Sequence, residues 1–295
     1  MSAGFICFGE VLWDNLPDGA VPGGAPMNVA VRLASLGHRS GIISSVGNDG
    51  LGEHLLQFLR SRDVDTSFLQ KHPAYPTGEV NVSFDAEGNP SYDIVSPSAW
   101  DGIDVTNDAL SAVRSADGII FGSLACRSSE SQRTLFRLLE ESPFAAFDVN
   151  LRAPYISLPL IEELMRHSDL IKLNEDELRT VCAATGSDGL KTNILSLTER
   201  SGAEIICVTK GKDGAVVYAE GEFIEHNGFS VMVADTVGCG DSFLAGFLSS
   251  MSGGGTLGQS LEFACALGAL TATKHGANPE FSAQEVKNFL AKSQK

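Results

Sequence analysis

The segment Asp235-Thr236-Val237-Gly238-Cys239-Gly240-Asp241-Ser242-Phe243 is the densest in chemistry-bearing residues. Gly238 and Gly240 flank one small residue at the start of an apolar helical pattern running through Phe243, Leu244, Phe247 and Leu248. A glycine turn that leads into a helix offers backbone N–H groups and the positive helix end to an anion. Asp241 falls in the first turn beside that anion hole. A carboxylate there repels a phosphoryl group, so it is useful only if it takes the proton of an attacking hydroxyl. The plainer alternative has Asp241 capping the helix and the glycines making a tight turn. Cys239, at the helix start, is either an inert small residue or a thiol acidified by the helix end.

Gly23-Gly24-Ala25-Pro26-Met27-Asn28 is the second such segment. Paired glycines let backbone approach a ligand, and Asn28 falls on the first turn of the next helix, where its amide is more useful outside the helix than in it. Asp14 lies just beyond the first strand, where ligands of α/β sheets bind. Carboxylate, amide and glycines suit a polyhydroxylated ligand, whose hydroxyls each need a donor and an acceptor. A solvated loop with a helix cap would use the same residues.

These side chains must be held by a scaffold, and the chain alternates short apolar runs with helical patterns. Strands are predicted at Phe5–Phe8, Ile42–Val46, Gly118–Gly122, Ala145–Val149, Leu170–Lys172 and Glu204–Val208. Helices are predicted at Ala25–Leu36, Leu51–Arg62, around Gln132–Glu141, and at Gly240–Ser252, Leu257–His275 and Ala283–Ala291. Such alternation means βαβ units and a parallel sheet covered by helices. Two hairpins break the rhythm. In one, Gly78–Phe84 alternates, Asp85–Pro90 is dense in turn formers, and Tyr92–Val95 resumes; the other turns at Glu220-Gly221. The first is an ordinary edge hairpin or a lid over a cleft at the strand ends.

The whole-chain balance narrows the class. In 295 residues there are 21 Lys and Arg against 37 Asp and Glu, a net charge of −16. That excludes a phosphate-backbone binder and so argues against nucleic acid as a partner. Hydrophobic residues at 43% are a globular proportion. No apolar run nears the ~20 residues of a membrane span. The N-terminus lacks a basic segment followed by an apolar one, and the six cysteines form no CxxC motif. A cytoplasmic protein with reduced core cysteines is the expectation.

Several motifs are excluded. There is no Walker A loop. Phe243 stands where a dinucleotide fingerprint needs its third glycine. Gly240-Asp241-Ser242-Phe243 is similar to the start of a GDSL-type hydrolase block, but no Asp follows Asp241 and only His275 is available to complete a triad.

Gly23-Gly24-Ala25-Pro26-Met27-Asn28-Val29-Ala30, followed by Leu36-Gly37, and the Asp235–Phe243 segment about 210 residues later resemble the paired signatures of the ribokinase-like (phosphofructokinase B) carbohydrate kinases. Asn174-Glu175-Asp176-Glu177 resembles that family's N-x-x-E motif, and Thr209-Lys210-Gly211-Lys212-Asp213-Gly214 its nucleotide segment. Gly9–Asp14, Phe121–Ala125, Asp148–Arg152 and Trp100-Asp101 resemble fructokinase-like members. The resemblance spans essentially the whole chain. It implies a three-layer αβα sandwich with a mainly parallel central sheet and a small β-lid. It also implies one kinase domain over 1–295, its lid formed by about 12–22 and 76–100, and a homodimer through that lid.

What the family implies for the site is specific. Asp241 is the base, Gly238, Cys239 and Gly240 the anion hole, and Arg152 a cation near the transferring phosphoryl group. Asp14, Gly23, Gly24, Asn28, Trp100 and Asn150 contact the sugar. Asn174, Thr209, Gly211 and Gly214, with Gly238 and Gly240, hold the nucleotide. Glu177 reaches Mg2+ through water, and Asp235 lies by a monovalent cation, K+, near Ala272–Ala277. The expected reaction is ATP-dependent phosphorylation of a sugar hydroxymethyl group, D-fructose to fructose 6-phosphate. 2-Keto-3-deoxygluconate is the next substrate, since its kinases share segments like Asn150–Arg152. A Ser242 hydrolase would not consume ATP, and a non-catalytic sugar-binding regulator would bind without turnover.

Overall fold

The computed structural model describes residues 4–17, 19–84, 90–183, 189–281 and 283–293. The fold is α/β, with a large, mainly parallel sheet flanked by helices and a second, small sheet. Contacts divide the chain into two units, Met1–Ala116 with Ala125–Ser142 and Asp117–Leu124 with Pro143–Lys295.

The first unit runs β1 (Gly4–Phe8), β2 (Leu12–Leu16), β3 (Gly19–Gly23), α1 (Ala25–Ser35), β4 (Arg39–Gly47) and α2 (Gly50–Ser61). It continues with β5 (Leu69–His72), β6 (Gly78–Phe84), β7 (Pro90–Ile94) and α3 (Asn107–Ser115). β1, β4 and β5 pair in parallel, and β1 and β4 are nearly continuous buried runs, as strands covered on both faces are. α2 starts at an Asp49 cap, whose Oδ1 accepts from Gly52 N at 2.8 Å. A separate four-stranded sheet has the order β3-β2-β6-β7. In it Asn15 Nδ2 donates to Glu79 Oε2 and Asn81 Oδ1, at 2.9 and 3.1 Å, which pins β2 in register with β6. β2 and β3 have no apolar alternation and go unannounced in the sequence. The turn predicted at Asp85–Pro90 lies, through residue 89, outside the described residues.

The first unit also takes in α4 (Ser129–Leu139), which starts earlier than its periodicity suggests because Ser128 caps it. The second unit begins with β8 (Gly118–Gly122), then β9 (Ala145–Asp148), α5 (Leu158–Arg166), β10 (Leu170–Asn174) and α6 (Glu175–Cys182). It continues with α7 (Leu190–Ser201), β11 (Ile205–Thr209), β12 (Ala215–Ala219) and β13 (Glu222–His226), and ends with α8 (Cys239–Ser252), α9 (Leu257–Ala272) and α10 (Ala283–Ser293). β8, β9, β10 and β11 are parallel neighbours, and β12 and β13 add antiparallel strands. Phe121 and Phe147 stack at 5.0 Å on adjacent strands, fully buried. Burying each such ring stabilises by roughly 1.5–3 kcal/mol. The β12–β13 turn puts Glu220 at φ 53° and Gly221 at φ 81°, the pair of left-handed residues that a two-residue hairpin requires. α9 stops at Ala272, short of the predicted His275, because Ala234 N and Asp235 N donate to Ala272 O and end the helix there.

Candidate active site

In the second unit α8 opens at Gly238, whose φ of 74° is in the left-handed region. A Cβ there would stand 2.5 Å from Ala277 O, so both the conformation and the space demand glycine. No side chain caps this helix. Its first i to i−4 bond runs from Ser242 N to Gly238 O at 2.9 Å, so the amides of Gly240 and Asp241 precede the helical ladder. Asp241 is half-buried in that first turn.

Cys239 sits between the glycines. Burial, then the carboxylates of Asp235 and Asp241, push its thiol up to about 11. The acidified thiol that a helix N-terminus favours is not found, because the two carboxylates and burial outweigh the helix end. Asp235 ties the preceding loop to the segment after α9: its Oδ1 accepts from Val237 N at 3.0 Å and its Oδ2 from Gly276 N at 2.9 Å.

Beneath α8 lies a charge cluster. Lys172, in the middle of β10, donates from Nζ to both Asp148 oxygens at 2.9 Å, and the residues are 7% and 3% exposed. A Cβ on Gly240 would stand 2.9 Å from that Nζ. Burial alone would lower the lysine pKa, but Asp148, Asp241 and Glu177 together hold it above its ordinary value. Glu177 is buried and fully engaged with backbone: Oε2 accepts from Asn174 N at 2.8 Å and Oε1 from Leu151 N at 2.9 Å. Asn174 Oδ1 accepts from Glu177 N at 2.9 Å, which closes a capping box at the start of α6. Burial and Asp148 push the Glu177 carboxyl up, against the pull of those amides and of Lys172.

The Leu151 amide that Glu177 holds belongs to the segment carrying Asn150 and Arg152. Asn150 takes φ 40°, a strained value for a residue with a side chain, of the kind that clusters at ligand sites. Arg152 is exposed, with Nη1 donating to Leu151 O at 3.1 Å. Asn174 and Thr209 pair across the ends of β10 and β11, so the two segments assigned to the nucleotide meet at one sheet edge. Past Thr209 a 3-10 turn, Gly211–Asp213, leads to Gly214, against which His226 O packs too closely for any Cβ. Ser242 is 1% exposed and accepts from Thr271 Oγ1 at 2.9 Å, which makes it a strut between α8 and α9 and no nucleophile for a hydrolase.

In the first unit Asp14 on β2 leans so closely over Gly23 on β3 that a Cβ on Gly23 would collide with its Oδ2. Gly24, at φ 114°, packs against Glu10 O and precedes α1, where Asn28 is buried in the first turn with its backbone N–H donating to Gly24 O at 2.9 Å. Trp100 corrects the sequence expectation. It is fully buried, under Gly78 on one side and the Arg127 guanidinium 3.8 Å from its ring on the other. Arg127 is itself locked in a buried ion pair with Asp101, at 2.7 Å. Trp100 is therefore a core residue and not a face for a sugar. Spacing arguments missed Lys172; the signal was a lysine inside the otherwise apolar strand Leu170-Ile171-Lys172-Leu173.

Among the described residues no three His, Cys, Asp or Glu side chains are grouped to hold a metal by themselves, and no helix is long and apolar enough to cross a membrane. The chain matches the pfkB family carbohydrate kinases over residues 18–284. The fructokinase of Salmonella typhimurium is 31% identical over 298 residues, covering 94% of this chain and 95% of that protein. The fructokinase of Vibrio cholerae O395, solved with fructose, ADP and calcium, is 28% identical with a TM-score of 0.82, covering 98% of this chain and 100% of that one. A double mutant of it, solved with fructose, ADP and potassium, is 26% identical with a TM-score of 0.82, covering 98% and 99%. Family match, length and fold agree, and the chain belongs to the pfkB family of carbohydrate kinases.

Proposed function

We propose that this kinase transfers the γ-phosphoryl group of ATP to the hydroxymethyl group of D-fructose, giving fructose 6-phosphate and ADP. The observation that carries the proposal is the start of α8, an uncapped helix end with a carboxylate in its first turn. That arrangement suits phosphoryl transfer better than any other reaction considered: the amides bind the anion, and Asp241 is useful as the acceptor of the hydroxyl proton. Fructose is the sugar because it is the substrate named for the relatives above.

The sugar hydroxyl forms its bond to the γ-phosphorus as the bond to the β-phosphate oxygen breaks, and its proton passes to an Asp241 oxygen. The Gly238, Cys239 and Gly240 backbone holds the phosphoryl oxygens. Arg152 offsets their charge, while Asp14, Gly23, Gly24, Asn28 and Asn150 are assigned to the sugar. Asn174, Thr209, Gly211 and Gly214 are assigned to the nucleotide. Magnesium, when bound with ATP, neutralises phosphate charge. Glu177 is assigned a water-mediated role toward it, its buried carboxylate being held in place by the Asn174 and Leu151 amides. Asp235 and the neighbouring carbonyls are oxygen donors of the kind a hard monovalent cation takes.

The whole chain is assigned to one kinase function, with the four-stranded sheet as its lid. Leu16, Val21 and Tyr92 on that sheet are 39%, 38% and 55% exposed, which supports pairing of two copies through it; a monomeric mass in sedimentation would remove that part. The six unpaired cysteines, five of them buried, support a cytoplasmic location. An ATP-coupled screen over fructose, ribose, 2-keto-3-deoxygluconate and nucleosides tests the substrate. Fructose should give the highest kcat/KM. A higher value for 2-keto-3-deoxygluconate, or ADP release without any sugar preference, would overturn it.

A further inference from the structure

A positive charge at the N-terminus of a helix is in the wrong place. The macrodipole already makes that end positive, and acidic side chains, not basic ones, stabilise it. Yet Lys172 sits there, buried, with Nζ close enough to α8 that a Cβ on Gly240 would stand 2.9 Å from it. Charged groups face it from each neighbouring element: Asp148 on β9, Glu177 on α6 and Asp241 on α8, with the Cys207 thiol of β11 alongside. Burying a lysine with an aspartate is no gain in itself, since desolvation of both ions offsets much of their attraction. An apolar pair in the same space would stabilise these strands at least as well.

The arrangement makes sense if a further anion arrives at the start of α8. We infer that Lys172 is a positioning residue of the anion hole: its ammonium, fixed by Asp148 and packed beneath Gly240, presents the positive end of a buried ion pair to the helix end that receives the transferring phosphoryl group. The small residue at 240 is what lets the ammonium come so near. Asp148 then serves to aim the lysine, because its two oxygens take two of the three ammonium protons. A charge held in place before the reaction needs no reorganisation as the phosphoryl group transfers.

This rests on the assignment of Gly238–Gly240 as the anion hole and Asp241 as the base. The test compares Lys172→Met, the double variant Lys172→Met/Asp148→Asn, and Asp241→Asn with the wild type, each checked by thermal unfolding. The single variant leaves Asp148 buried without its partner and is expected to lose stability; the double variant removes both charges and is expected to fold. In the folded double variant kcat should fall about 10²-fold, the size expected for losing one preorganised electrostatic group, with KM for ATP and for the sugar nearly unchanged. A folded double variant with wild-type kcat would overturn the inference. So would failure of both variants to fold, which would make the pair a structural strut, or a rise in KM at constant kcat. An active Asp241→Asn enzyme would instead overturn the site assignment beneath it, so the two failures are distinguishable.

Discussion

Three helices of the second unit begin in contrasting ways. α6 and α9 open with capping boxes, Asn174 with Glu177 and Thr256 with Gln259, in which side chain and backbone exchange hydrogen bonds. α8 opens on a left-handed glycine with no side-chain cap and a buried cation beneath it. A capped helix end has spent its amides on stability. An uncapped one keeps them for something that arrives from outside. A missing cap alone does not mark the site, since α5 and α7 also start without a side-chain cap; α8 differs in joining a left-handed glycine to a carboxylate in its first turn and a buried cation beneath it.

Substitutions can break that contrast. The largest effect is expected from Asp241→Asn, which keeps the size of the side chain and removes its capacity to take a proton. Turnover should fall by about 10²–10⁴-fold, while the unfolding temperature and ATP affinity stay near wild type. An active, stable variant in an ADP-release assay would make Asp241 a mere helix-start residue. Gly238→Ala comes next. It forces a side chain into φ 74° and against Ala277 O, and should destabilise by about 1–3 kcal/mol while also lowering turnover. Equal loss in both readouts from a capped helix would erase the distinction.

Thr256→Ala sharpens the comparison from the other side. It removes the α9 cap and should cost about 0.5–2 kcal/mol in denaturant unfolding with kcat unchanged. The smallest effect is one of pH. Asp49 caps α2, and although burial pulls its carboxyl up, hydrogen bonds from Thr77, Gly52 and Leu51 outweigh this and hold it below the ordinary aspartate value. The stability it contributes is therefore present above that ordinary value, and is lost as pH falls from there through the lowered one. Asp49→Asn should flatten this part of the acid limb of the stability curve; an unaltered slope in acid unfolding would show that those bonds contribute little.

Much of the scaffold was legible because period and burial agree. Strands such as Gly118–Gly122 are continuous apolar runs, and helices such as Ala25–Ser35 carry their end signals in Pro26 and Gly37. β2 and β3 were not legible as strands, since Leu12–Leu16 and Gly19–Gly23 lack alternation; they pair with each other, and only β2 has a partner distant in sequence, β6. Trp100 was misread for a related reason: its sequence neighbourhood pointed to a ligand, while Gly78 and Arg127, which bury it, are contributed from elsewhere in the fold.

By itself the order of residues determined the family, the parallel α/β plan and the two glycine segments, because these rest on local spacing: turn residues next to helix starts, and apolar periods of strand and helix. Only the tertiary structure decided that Ser242 is a strut, that Cys239 carries no acidified thiol and that Lys172 lies beneath Gly240. The strut and the lysine depend on groups tens of residues apart and the thiol on burial, and neither distance nor burial exists until the chain has folded.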